Sequence, residues 1–283
     1  CQAKVVKAID TESKKMSTKP LMILLLSFGF IGWSFLSRQR LPKLEFTLLI
    51  ASCFILLAGG LLTPMMSIEA KIDQKYLPLF GCAATTAWGS LVNDANMRFG
   101  ESVVVLGTGG VGLLTVEAAR AGGANPIIAV DLHSSRAKAA LDFGAQVALV
   151  ADDENLEAQI RGTLGPRGAE IVIDTTGDSK MIALAYNLAS HGGRAILVGV
   201  PHRRDPVTLD SLPLHFGMTL TGSKGGATSP SVDIQRLIDL ASVGMYRVTS
   251  LPITEAALPD INDCLEAIRT GLPGRVVVRM NPA

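Results

Sequence analysis

The glycines of the segment VVVLGTGGVGLLTVEAARAGGA constrain the fold more than any other feature of the sequence. Gly107, Gly109 and Gly112 form the pattern G-x-G-x-x-G directly after a β-branched run and at the start of an amphipathic stretch. In such a strand–turn–helix setting, the first glycine allows a tight turn and the second lets a pyrophosphate approach the backbone. The third lets the helix pack closely on the strand. The segment therefore predicts a turn that binds a dinucleotide at a helix N-terminus.

Short apolar runs alternate with amphipathic stretches from about Asp73 onward. Strands are predicted near residues 102–106, 127–131, 147–150, 170–174, 194–199 and 218–222. Strands separated by helical patterns of about 10–15 residues are typical of βαβ units and a parallel sheet. Ser134 and Asp178 precede two of the helical patterns and are predicted to cap them. Residues 73–283 are therefore predicted to form a doubly wound α/β (Rossmann) domain with a mainly parallel six-stranded sheet.

The strand after the glycine turn, PIIAVD, ends in Asp131, which lies 19 residues after Gly112. A carboxylate at this place accepts hydrogen bonds from both ribose hydroxyls and repels a 2′-phosphate, so NAD is favoured over NADP. Arg136 complicates this preference, because an arginine can bind that phosphate; its alternative role is that of a solvated helix charge. The alternative for the whole motif is a glycine-rich structural turn in which Asp131 only caps a helix.

Charge and cysteine content exclude other classes of protein. Lys and Arg number 26 against 25 Asp and Glu, so no global basic field exists to hold a nucleic-acid backbone. The four cysteines, Cys1, Cys53, Cys82 and Cys264, are widely scattered and form no C-x-x-C pair. We therefore expect no nucleic-acid partner, no disulfide framework and no structural zinc module.

The N-terminal region differs from the rest of the chain in its charge distribution, because it contains two long stretches without a charged residue. These stretches are residues 20–37 and residues 46–68, of 18 and 23 residues, and a basic start precedes them. A bilayer core needs about 17–25 mainly apolar residues in a helix. Residues 1–72 are therefore predicted to form a segment with two apolar helices that insert as a membrane hairpin. The alternatives are two buried helices, or a single signal anchor followed by a core segment.

Beyond these features, several motifs together resemble the zinc-type medium-chain alcohol and polyol dehydrogenases. They are LFGCAATTAWG, GTGGVG, VDLHSSR, DTTG, VGVP, GSKGG and GLPGRVVV, and they run from about Leu77 to Met280. The resemblance implies an oxidoreductase that uses NAD and zinc to transfer a hydride between the nicotinamide and a small alcohol or polyol. It also implies a cytoplasmic cofactor domain, anchored to the membrane if residues 20–68 insert, and leaves homo-oligomerisation open.

The resemblance assigns roles to particular residues. Cys82 would be a thiolate ligand of a catalytic zinc, and Thr86 would contact the cofactor near the nicotinamide. Val198 and the backbone around Ser223 would hold the carboxamide, and Arg275 would reach the pyrophosphate. The full set of implied cofactor-binding residues is Thr86, Gly107, Gly109, Gly110, Val111, Gly112, Asp131, Arg136, Thr176, Val198, Gly199, Ser223 and Arg275. The alternative for Cys82, which composition alone would predict, is an inert buried cysteine.

The sequence also departs from that family. Its members carry an N-terminal GroES-like domain that supplies further zinc ligands, whereas residues 1–72 show two apolar stretches and the first histidine of the chain is His133. None of the four histidines is expected to be a metal ligand. Three interpretations follow: an NAD-dependent dehydrogenase that is incomplete in this chain, a non-catalytic membrane-tethered NAD(H)-binding module, or a chimeric or truncated reading frame.

Overall fold

A computed structural model describes residues 72–203 and 205–279. The apolar stretches at residues 20–37 and 46–68, and with them the predicted membrane hairpin, lie outside these residues. Within the part of the chain that the structure describes, no helix is both long enough and apolar enough to cross a bilayer.

Helices and strands alternate along most of the described chain. It begins with α1 (Leu77–Phe80) and α2 (Ala83–Gly89), and α2 continues into a π-helical turn at Ser90–Asp94. The elements that follow are β1 (Val103–Leu106), α3 (Gly110–Ala121), β2 (Ile127–Asp131), α4 (Ser134–Asp142), β3 (Val147–Val150), α5 (Leu156–Leu164), β4 (Ala169–Asp174), α6 (Ser179–Leu188), β5 (Ala189–Leu197), β6 (Thr219–Gly222), α7 (Pro230–Ser242), β7 (Ile253–Ala257), α8 (Ile261–Arg269) and β8 (Arg275–Arg279).

The main sheet has six strands in the order β3-β2-β1-β4-β5-β6, and every neighbouring pair is parallel. The chain winds outward from β1 to β3 and then crosses back to β4 on the other side of β1. This order confirms the predicted doubly wound fold and places a switch point between β1 and β4. In doubly wound sheets, ligands bind at the carboxyl ends of the strands beside such a point.

The apolar strands form the core of the domain. Every residue of β1 and β2 is buried, as expected for strands that helices cover on both faces. On one face of the six-stranded sheet, the core contains Val104, Val130 and Val172 of the strands together with Ile160 of α5 and Leu188 of α6. The carboxyl end of each strand is thereby fixed relative to its neighbours, and the loops after these ends lie side by side.

Three details differ from the sequence predictions. First, β5 begins at Ala189, earlier than predicted, and its pairing with β4 shifts register between Ala169 and Ile171. It ends at Leu197, so Val198 and Gly199 lie in the following loop. Second, Ser134 does not cap α4 but begins it. Its predicted role was wrong, because Asp131 takes the backbone N–H of His133 and turns the chain one residue earlier.

Asp178 caps α6 as predicted, since its carboxylate accepts the backbone N–H groups of Lys180 and Met181 at 2.9 and 3.1 Å.

The third difference is a second sheet within the predicted domain. Strands β7 and β8 pair in parallel outside the six-stranded sheet, and α8 connects them.

A buried carboxylate ties α3 to the segment after α7. The side chain of Glu117 is fully buried and accepts hydrogen bonds from Arg120 at 2.6 Å and from the Nη2 of Arg247 at 2.8 Å. Burial raises the pKa of Glu117, but the hydrogen bonds from both arginines together outweigh it and hold the pKa below its ordinary value of 4.5. Tyr246, which directly precedes Arg247, is fully buried, and its hydroxyl donates to the carbonyl of Leu114 at 3.2 Å.

We predict that Glu117→Gln lowers the free energy of unfolding by about 2–3 kcal/mol at pH 7, because two arginines lose a buried partner. Both arginine side chains are more than a third exposed, which keeps the loss below that of a fully buried pair. Urea denaturation of the full chain measures it. Glu157→Gln is the control, because it removes an exposed pair with Arg161 and should cost under about 1 kcal/mol.

The same prediction has a pH dependence. Because the folded-state pKa of Glu117 is lower than its unfolded value of 4.5, its stabilisation is present above pH 4.5 and is lost as the pH falls through the folded pKa. The difference between wild type and Glu117→Gln should therefore narrow below pH 4.5. A difference that stays constant down to the acid transition would contradict the assignment.

Candidate cofactor site

The site begins at the turn between β1 and α3. Gly107 has a φ of +88°, a backbone conformation that residues with a side chain disfavour. Its N–H donates to the carbonyl of Val130 at 2.7 Å. A Cβ on Gly112 would overlap the carbonyl oxygen of Gly107, whereas a Cβ on Gly109 would meet nothing within 4 Å. The turn is thus closed towards the strand and open on the side that Gly109 faces.

Asp131 fixes the neighbouring strand end to this turn. Its side chain is 6% exposed, and its Oδ2 accepts from the backbone N–H of Thr108 at 2.7 Å and from the Thr108 hydroxyl at 3.0 Å. Its Oδ1 accepts from the N–H of His133 at 2.9 Å. A carboxylate oxygen can accept more than one hydrogen bond, so Oδ1 keeps an acceptor direction for a ligand. Thr108 was not singled out from the sequence, although it lies inside the glycine motif.

Arg136 contacts α8 and not the glycine turn. Its Nη2 donates to the carbonyls of Ile268 at 2.8 Å and Leu272 at 3.2 Å. Ile268 lies in the last turn of α8 and Leu272 in the segment just after it, where the helix dipole favours a cation. Arg136 is therefore a partly buried brace between α4 and α8, and not the solvated helix charge that the sequence allowed.

Arg275 lies against the first residue of α3. A Cβ on Gly110 would overlap the Cγ, Cδ and Nε atoms of Arg275, so the arginine crosses the helix at its N-terminus. The Nε atom is buried and has no hydrogen-bond partner among the described residues. A guanidinium and the free N–H groups of a 12-residue helix thus meet beside the open face of the glycine turn. This arrangement suits an anion such as a pyrophosphate.

On the other side of β1, Asp174 organises two loops. Its carboxylate accepts from the Thr176 hydroxyl at 2.6 Å and from the N–H groups of Thr176 and Gly177 at 3.1 and 3.0 Å. Its backbone carbonyl accepts from the N–H groups of Val198 and Gly199 at 2.7 and 3.0 Å. Burial raises the pKa of Asp174 above its ordinary value of 3.8, although these hydrogen bonds lower it in part.

Asp174 therefore brings together three residues that the resemblance implied, and it was itself missed. The available signal was a charged residue directly after the apolar run IVI and directly before T-T-G. Ser223 completes this edge of the sheet. It follows β6, and its N–H donates to the carbonyl of Leu197 at 2.8 Å, which places it beside the loop that contains Val198.

Cys82 and Thr86 lie at the start of α2. Cys82 is exposed, and its carbonyl accepts from the N–H of Thr86 at 2.9 Å and the hydroxyl of Thr85 at 3.0 Å. Exposure overturns the alternative that Cys82 is a buried core residue. Within residues 72–203 and 205–279, no group of three or more His, Cys, Asp and Glu side chains could hold a metal ion. Cys82 therefore belongs to no such group among the described residues, whereas a catalytic zinc takes three protein ligands.

Comparisons with known proteins show which proteins this domain is similar to. Residues 110–242 match the family model of zinc-binding dehydrogenases. The chain is 30% identical to alcohol dehydrogenase class-2 isozyme 2 of Oryctolagus cuniculus over 217 residues, which are 74% of this chain and 56% of the relative. It is 28% identical to NDMA-dependent alcohol dehydrogenase of Amycolatopsis methanolica, over 74% of this chain and 58% of that protein. The chain thus spans a little over half the length of these curated relatives.

Solved structures give the same result for the fold. Benzyl alcohol dehydrogenase from Acinetobacter calcoaceticus superposes with a TM-score of 0.72 at 25% identity, over 76% of this chain and 59% of that structure. An alcohol dehydrogenase zinc-binding domain protein from Burkholderia ambifaria gives 0.70 at 27% identity, over 77% and 58%. Members of the matched family use NAD and zinc, and the matched part is their NAD-binding part. The doubly wound domain of this chain is therefore similar in sequence and fold to the NAD-binding part of zinc-binding dehydrogenases.

Proposed function

We propose that this domain binds NAD(H) as the cofactor part of an oxidoreductase that transfers a hydride between an alcohol or polyol and the nicotinamide. The observation that carries the proposal is the meeting of three features at the N-terminus of α3. They are the open face of Gly109, the Arg275 guanidinium whose Nε has no partner among the described residues, and the buried carboxylate of Asp131.

Each feature suits one part of the dinucleotide. The pyrophosphate fits over Gly109, where no Cβ blocks its approach, and Arg275 neutralises its charge. Asp131 accepts from the adenosine ribose hydroxyls, and Thr108 holds the carboxylate in place. The Nη2 of Arg136 is engaged by the carbonyls of Ile268 and Leu272, so this nitrogen is not free for a 2′-phosphate. This supports NAD over NADP.

The nicotinamide half belongs at the carboxyl ends of β4, β5 and β6. There Asp174 holds Thr176, Val198 and Gly199, and Ser223 lies next to them. When bound, NAD supplies the acceptor for the two electrons of a hydride. The residues of this chain orient the ring, through the backbone around Val198 and Ser223 and through Thr86 of α2.

The described residues do not fit a catalytic zinc. A catalytic zinc takes three protein ligands and keeps one open position, and Cys82 belongs to no group of three possible ligands among the described residues. This observation also favours a second candidate, a domain that binds NAD(H) without turning over alcohol. The proposal also includes a cytoplasmic location, homo-oligomerisation and a membrane tether through residues 20–68, which contain two long stretches without a charge.

The first test concerns Asp131. We expect the full chain to bind NADH more tightly than NADPH, and Asp131→Ala to weaken NADH binding by about 1–3 kcal/mol, because ribose hydroxyls and Thr108 lose their acceptor. Fluorescence titration with both cofactors measures this, and thermal denaturation shows whether the variant is folded. Equal affinity for the two cofactors, unchanged by the substitution, would overturn the ribose assignment.

The second test concerns Asp174. Asp174→Ala leaves the donors of Thr176 and Gly177 without their acceptor, so we expect a loss of about 1–3 kcal/mol in stability and weaker NADH binding. Asp178→Ala is the matched control. It removes the cap of α6, costs about 0.5–2 kcal/mol of stability, and should leave NADH affinity unchanged. If both variants bind NADH like wild type, Asp174 has only a structural role.

The third test concerns the metal. We expect elemental analysis of the full chain to find zinc well below one atom per chain, because a single thiolate binds the ion weakly. We also expect no NADH formation with a panel of polyols and primary alcohols. Stoichiometric zinc that is lost in Cys82→Ser, together with turnover, would show that ligands outside the described residues complete the site.

A further inference from the structure

Asp94 accepts a hydrogen bond from Ser223, at the edge of the sheet where β6 ends. It lies at the end of the π-helical turn that follows α2, and its Oδ2 accepts the hydroxyl of Ser223 at 2.5 Å. The Ser223 Oγ in turn accepts the backbone N–H of Gly226 at 3.0 Å. Asp94 and Ser223 are both partly buried and are 129 residues apart in the sequence. One carboxylate thus fixes the serine that directly follows β6.

The turn after Ser223 has further attachments of its own. The side chain of Asn93 donates to the carbonyl of Gly226 at 2.8 Å. A Cβ on Gly226 would lie 2.7 Å from the Cα of Gly89, so the two backbones are in close contact. These contacts hold the turn against α2 without any help from Asp94. The contact of Asp94 is therefore specific for the Ser223 side chain.

The contact between Asp94 and Ser223 is relevant to the cofactor because of where Ser223 lies. Its N–H continues the ladder to Leu197, directly before Val198, so Ser223 and Val198 lie on adjacent strand ends. In the proposed function, which this inference rests on, the backbone at these two positions holds the nicotinamide carboxamide. We propose that Asp94 is a positioning residue for the nicotinamide half of the cofactor, and that it acts by fixing Ser223 and the end of β6.

The inference separates the two halves of the cofactor site. The adenosine and pyrophosphate half is built by Asp131, Gly109 and Arg275 around β2 and α3. Asp94 contacts none of these residues, and it lies with Ser223 at the far end of the sheet order, at β6. A loss of Asp94 should consequently weaken NADH, which carries a nicotinamide, and should spare ADP-ribose, which does not.

The experiment compares NADH and ADP-ribose binding to the full chain by titration calorimetry. Asp94→Ala should weaken NADH about tenfold, as expected for the loss of a charged hydrogen bond that holds a contact group, and should leave ADP-ribose within about twofold. Asp94→Asn keeps an oxygen that can accept from Ser223, and should retain most of the NADH affinity. Asp152→Ala, an exposed position in the turn after β3, is the control and should bind both ligands like wild type.

The outcomes are distinguishable. If wild type binds neither ligand, the proposed function fails and the inference fails with it. If wild type binds both ligands with equal affinity, the nicotinamide makes no contact that Asp94 could position, and only the inference falls. Equal losses for NADH and ADP-ribose in Asp94→Ala would show a general effect on the domain and would also overturn it. NADH binding unchanged in Asp94→Ala would do the same.

Discussion

The structure depends on the close approach of α3 to β1. Room for this approach exists because Gly112 has no side chain, and a single Cβ there would overlap the carbonyl oxygen of Gly107. The approach sets the direction in which the N-terminus of α3 points, towards the carboxyl edge of the sheet. Arg275 reaches the same place from β8, outside the six-stranded sheet. The anion-binding character of this edge therefore follows from a packing constraint.

Two acidic residues lie at the carboxyl edge of the sheet, one on each side of β1. Asp131 ends β2 on one side of β1, and Asp174 ends β4 on the other. Each is buried, and each accepts backbone N–H groups from the turns beside it. Such hydrogen bonds offset the cost of removing a carboxylate from water. They also give the turns a fixed shape at a point where the strand ladder has ended.

The features that the sequence predicts well are local or periodic. The apolar runs of β2 and β3 predict both strands to the residue, and the spacing of Gly107, Gly109 and Gly112 predicts the turn between β1 and α3. Contacts between distant segments leave no such signal. The hydrogen bond from Ser223 to Asp94 is an example, because neither residue belongs to a periodic pattern with the other. The contact of Arg136 with the end of α8 is another.

A strand end that serves two loops limits how a domain of this kind can diverge. Asp174 holds the turn at Gly177 with its side chain and the loop at Gly199 with its carbonyl. The loops also touch, because a Cβ on Gly199 would lie 2.7 Å from the carbonyl carbon of Thr176. An insertion or a larger residue in either loop would displace the anchor of the other. Evolution can therefore remodel this wall of the cleft only by paired replacements, and we expect the two loops to covary among homologous chains.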